Sequence, residues 1–174
     1  RNRLNGHFSY TPPEYGDRIK YGKPYHVHTF SRYFPIEKYF KEHPEWYAWS
    51  MKKNVRIDNG QLCLSNKEML EVFKQKVKDS IAASYKLSDM RGETRPEFFS
   101  VSLNDVEGLC ECNDCTQQYK EKGQSGYALA FVNKIADYIS NIYPEVNIET
   151  LVYWQYRVPP LDATRPAKNV MIRL

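Results

Sequence analysis

The chain is 174 residues long, 41% apolar and 26% charged, with a formal net charge of +4. That is enough chain for one domain with a real core, and the composition is that of a globular protein rather than a disordered one. The mild charge, with lysines and acids alternating as in Lys67-Glu68 and Lys78-Asp79, argues against a nucleic-acid partner, and no run of about 18 apolar residues exists to span a membrane.

Residues 1–24 are rich in Tyr, Pro, Gly and Asn without a sustained period and read as an irregular N-terminal segment. The first β-prone run is Tyr25 to Phe30, with His28 near its end. Pro35 to His43 is a short helix candidate stopped by His43-Pro44, because the residue before a proline avoids the helical region. Asn59-Gly60 marks a turn, which predicts a hairpin over Lys53 to Leu64 and places Cys63 on the strand Gln61 to Leu64. Ser65 with Glu68 three residues on matches a capping box. Met69, Leu70, Phe73, Val77 and Ile81 then recur at helical spacing.

The densest chemistry lies between Phe98 and Cys115. An apolar strand turns polar at Asn104, delivers Asp105 and Glu107 to a loop, and is followed by Cys110, Cys112 and Cys115 as C-x-C-x-x-C. A second long helix is expected from near Ser125 to Pro144, with Leu129, Phe131, Val132, Ile135 and Ile139 on its apolar face. Ile148 to Trp154 is a strand ending in aromatics, Pro159-Pro160 sits in a loop, and Val170 to Leu174 is a last strand. Arg1 is not an initiating residue and the final apolar run meets no turn, so a piece of a longer chain is expected.

Strands alternating with helices predict an α/β fold with a parallel sheet and outer helices. About five strands, near residues 28, 63, 102, 151 and 172, match part of a (β/α)8 TIM barrel spanning 25–174. A flavodoxin-like sheet is the alternative; no glycine-rich phosphate loop follows any strand.

Asp105 and Glu107, two residues apart beyond a strand end, are candidates to divide acid and base work in glycoside hydrolysis. Their plainer reading is a helix cap and a surface acid. His28, Asn104 and one of Tyr153 and Trp154 are candidates to line a sugar cleft at the same rim, although a histidine bonded to a backbone carbonyl is as ordinary. Cys63, Cys110, Cys112 and Cys115 converge on that rim as a structural zinc site, two disulfides or four reduced thiols. Each ordered arrangement pins the loop that carries Glu107.

The succession HTF (28–30), KEHPEWYAW (41–49), QLCLSN (61–66), SVSLND (100–105), CECNDC (110–115) and TLVYWQYRVPP (150–160) resembles the bacterial domain-of-unknown-function family 4838, common in gut Bacteroidetes, which includes glycoside hydrolase family 163. The resemblance implies a TIM-barrel hydrolase related to hexosaminidases and α-glucuronidases, exported to the periplasm or cell surface. It implies an endo-β-N-acetylglucosaminidase acting on N-glycans by retaining, substrate-assisted catalysis, with a glycan as partner, no catalytic cofactor, and the Asp105–Glu107 loop at the position of the acids. An α-glucuronidase-like activity and a silent glycan-binding barrel belong to the same resemblance.

Overall fold

Three short parallel strands, β3 (Phe98–Ser100), β4 (Asn147–Leu151) and β5 (Val170–Arg173), stand side by side in that order at the centre of the fold. The computed structural model describes residues 19–25, 27–153 and 156–173. Ahead of the sheet come two single-turn helices, α1 (Phe30–Tyr33) and α2 (Ile36–Tyr39), and a 3-10 turn at Pro44–Trp46. A two-stranded antiparallel sheet, β1 (Trp49–Ser50) with β2 (Val55–Arg56), follows them.

Two long helices, α3 (Lys67–Arg91) and α4 (Asn113–Ser140), supply nearly half of the buried core. The apolar spacing of α3 buries Met69, Phe73, Val77 and Ile81 completely, and Phe73 packs edge-on against Phe30, Phe34 and Phe131. Its N-cap is Asn66 rather than Ser65: the Asn66 carboxamide oxygen accepts from the Met69 amide at 2.8 Å. The helix expected from Ser125 starts at Asn113 and breaks at Gly123, whose backbone (φ 74°, ψ 167°) is open to glycine. The carbonyl of Lys122, released at that break, accepts from Leu161 N at 2.9 Å. Asn133 Nδ2 likewise donates to Arg165 O at 2.8 Å, so residues 161–165, between β4 and β5, are strapped onto α4.

Register gives the sheet two unlike faces. Phe99 lies beside Ile148 and joins the core under the helices, whereas Ser100 lies beside Glu149, and Glu149 beside Met171, on the opposite face. That second face is buried yet polar: Ser100, Ser102 and Glu149 are fully covered. The Tyr21 hydroxyl donates to Glu149 Oε2, which also lies 3.8 Å from Arg173 Nη1. Burial, then this bond to Glu149, pushes the Tyr21 phenol above its ordinary range.

The five parallel strands expected from the sequence are three here, and no closed barrel is present among the described residues. The described residues of the run at 25–30 form no strand. Tyr25 and His28 have φ of 70° and 55°, and α1 begins at Phe30. The edge of β3 is met lower down by Tyr21, which forms a parallel bridge to Phe98, so residues assigned to an irregular segment touch the sheet. Higher up, the Thr29 hydroxyl takes the place of a backbone group: Ser102 N donates to it at 3.0 Å, and it donates to Ser100 O at 3.0 Å. The run at 61–64 also lies outside the parallel sheet. Leu62 bridges Tyr47 antiparallel, beside β1 and β2, and the hairpin turns at 51–54 rather than at Asn59-Gly60.

Candidate functional site

Loops at the C-terminal ends of the parallel strands and the first turn of α4 bring two groups of side chains to one region. The first is the cysteine set. Cys63 follows the Leu62 bridge, Cys110 and Cys112 lie in the loop after β3, and Cys115 sits in the first turn of α4. Their four Sγ atoms lie within 4.8 Å of one another; Cys112 is half-buried and the other three are buried. Cys63 Sγ is 3.7 Å from Cys112 Sγ and 3.9 Å from Cys115 Sγ.

In this structure the four cysteines are free thiols, with sulfurs well beyond the roughly 2.05 Å of a disulfide. Tetrahedral metal coordination with metal–sulfur bonds of about 2.3 Å places sulfurs about 3.8 Å apart, which the two separations from Cys63 match. The surroundings also suit thiolates. Trp49 N points at Cys110 Sγ from 3.3 Å, Arg56 Nη1 lies 3.9 Å from the same sulfur, and Ser65 Oγ is 3.2 Å from Cys63 Sγ. Hydrogen bonds from Cys110 and then Cys115 hold the Cys63 thiol well below its ordinary range. Cys110, bonded to Cys115 and Cys63, is pushed up. The cluster could hold a metal ion.

The second group is the carboxylate rim. Asp105 and Glu107 are exposed on the loop beyond β3. The Tyr153 hydroxyl, just past β4, donates to Asp105 Oδ1 at 2.8 Å. Burial, then this bond, pushes the Tyr153 phenol above its ordinary range. The His28 ring stands edge-on to Tyr153, centroids 5.5 Å apart, and His28 Nδ1 is 3.0 Å from Leu103 O. His28 thus has both its plain role, a carbonyl partner, and a place at the rim. Its left-handed backbone is uncommon for a residue with a Cβ, and such conformations gather at functional sites.

Asn104 is placed differently from Asp105. It is buried, its Oδ1 accepts from Ser31 N at 2.9 Å, and its Nδ2 donates to Gly60 O at 2.6 Å, so the amide works as an internal brace. Trp154 lies outside the described residues. Asn59, Gln61 and Ser65 carry only turn, strand and capping signals in the sequence and Arg56 none, yet all four touch the cysteines or the Asp105 loop.

The chain belongs to the family described as Domain of unknown function (DUF4838), whose model matches residues 3–174. No curated protein and no solved structure matches it.

Proposed function

We propose that this member of the DUF4838 family forms the carbohydrate cleft of a (β/α)8-barrel glycoside hydrolase, an exported enzyme of endo-β-N-acetylglucosaminidase type that acts on N-glycans. The observation that carries the reading is the hydrogen bond from Tyr153 to Asp105 beside His28. Three separate segments converge there on a carboxylate, at the strand ends where parallel α/β folds place their chemistry. Two features support the barrel: neighbouring strands run parallel in chain order, and the face away from the helices is buried but polar, as inward positions of an enclosed sheet can be.

In a substrate-assisted mechanism the 2-acetamido oxygen of the sugar attacks the anomeric carbon while the leaving oxygen takes a proton. Asp105, oriented by Tyr153, accepts a hydrogen bond from the acetamide N–H. Glu107 protonates the leaving oxygen and then activates water. His28 and Tyr153 offer ring surface and a polar edge to the sugar. Cys63, Cys110, Cys112 and Cys115 hold one Zn²⁺, which fastens the loop and takes no part in the chemistry.

Release of glycans from a complex N-glycoprotein tests the reading. Asp105→Asn and Glu107→Gln, both correctly folded, should each abolish release. Glycan binding without cleavage by the wild type would make the domain a binding barrel, and cleavage of glucuronides alone would move it to the α-glucuronidase-like class.

A further inference from the structure

The loop that carries Asp105 is not held by its own strand. Beyond Ser100 the chain leaves regular structure; the carbonyls of Ser102 and Leu103 face Phe30 N and His28, and those of Asn104, Val106 and Glu107 face residues 59–61. Gln61 is 2% exposed, and its Nε2 donates to both Asn104 O and Val106 O, each at 3.1 Å. Asn59 Nδ2 donates to Glu107 O at 2.7 Å, and Gly60 O receives Asn104 Nδ2. Three consecutive residues, 59 to 61, therefore bracket Asp105 on both sides. Gly60 (φ 86°) lets them do so, because a Cβ there would lie 3.1 Å from Asn104 Nδ2.

The position of that bracket is fixed from its other end. Ala48 N donates to Gln61 O at 2.9 Å and Cys63 N to Trp46 O at 2.8 Å, so Gln61 and Cys63 sit on one extended segment two residues apart. Cys63 enters the thiol cluster, and Cys110 closes the Asp105 loop from the far side. Glu111 N donates to Trp49 O at 2.8 Å and completes the ring of contacts.

We propose that Gln61 is the positioning residue for Asp105, and that the cysteine centre sets Gln61, so that metal occupancy is transmitted to the carboxylate rim through residues 59–63. This rests on the proposed zinc reading of the centre. Gln61 does not touch a ligand; its two N–H donors pin the carbonyls before and after Asp105. Removing the metal releases Cys63 from its partners across the loop, the bracket slackens, and Asp105 loses its place relative to Tyr153 while α3 and α4 keep their packing.

The experiment is amide hydrogen exchange on the intact protein, purified without chelator, read separately for residues 104–109 and for the helices. Stripping zinc should speed exchange of 104–109 by about tenfold or more, the scale of one or two lost buried hydrogen bonds, while α3 and α4 remain the slowest-exchanging segments. Gln61→Leu, which cannot donate, should give the same local acceleration with one zinc still bound, and stripping that variant should add little. The near-isosteric Gln61→Glu should behave as Gln61→Leu does. Zinc that leaves without moving 104–109, or a Gln61→Leu loop as protected as wild type, overturns the proposal while the metal reading stands. A protein that binds no zinc overturns the metal reading and the transmission with it, and Gln61→Leu alone then decides whether Gln61 positions the loop.

Discussion

The Tyr153 hydroxyl reaches Asp105 Oδ1 over 2.8 Å although the two residues lie 48 positions apart in the chain. One hydrogen bond to an exposed carboxylate contributes little to stability, at most about 1 kcal/mol. Its value lies in orientation. Tyr153→Phe should therefore cut glycan release by about tenfold while moving the melting temperature only slightly, and Asp105→Asn should abolish release with equally small thermal effect. Parallel kinetics and thermal melts check both, and a large fall in stability for either variant would recast the pair as structural.

Metal analysis of protein purified without chelator should find one zinc per chain. Cys63→Ser should lower that content and cost several kcal/mol, because binding energy at a structural zinc site is folding energy. Chelation of the wild type should produce the same loss of stability and make four thiols available to a thiol reagent.

Tyrosine burial gives the protein an alkaline limit. The phenols of Tyr21, Tyr33, Tyr85, Tyr127 and Tyr153 all stand above their ordinary value of 10.0, each with burial as the leading cause, and Tyr47 is pushed up to about 12. A raised phenol keeps its proton longer in the folded chain than in the unfolded one. Its contribution is whole below pH 10 and is lost as pH climbs toward the folded value. Melting temperature should fall steadily above about pH 10, together with a rise in phenolate absorbance on unfolding. Constant stability to pH 12 would contradict this.

Gly22 is the tightest point of the sheet edge. A Cβ added there would lie 2.0 Å from Cε1 of Phe99, a fully buried ring in β3. Gly22→Ala should therefore destabilise by about 1–3 kcal/mol, the cost of overpacking, and Gly22→Ala with Phe99→Leu should recover part of it. Urea melts of the two variants measure the difference.

The helices were legible because their signal is periodic and local. Met69, Phe73, Val77 and Ile81 state α3 in the sequence, and only the cap moved, from Ser65 to Asn66, two adjacent residues with equal capping chemistry. The strands were legible where a whole alternating run is buried, as at Ile148. They were misread at Tyr25 to Phe30 and Gln61 to Leu64, where β-prone composition describes side-chain burial and not pairing. Nothing in the residue type announces that the Thr29 hydroxyl will stand in for a ladder group. The convergence of Cys63 with Cys110, Cys112 and Cys115 was legible from their placement after strand-like runs. The thiol state needed distances. The roles of Gln61 and Asn59 were illegible because they depend on which carbonyls of the Asp105 loop turn inward, a property of tertiary structure alone.

The cysteine centre also imposes an order in time. Cys63 and Cys115 lie 52 residues apart, with all of α3 and β3 between them. On a growing chain, α3 can form from local contacts as soon as it is made, whereas the centre waits for the start of α4. Residues 46–63 therefore remain without that anchor until three cysteines, at 110, 112 and 115, arrive almost together. Oxidation before the centre closes would take thiols out of it, so recovery of correctly folded protein should depend on reductant and metal supply during expression more than on temperature.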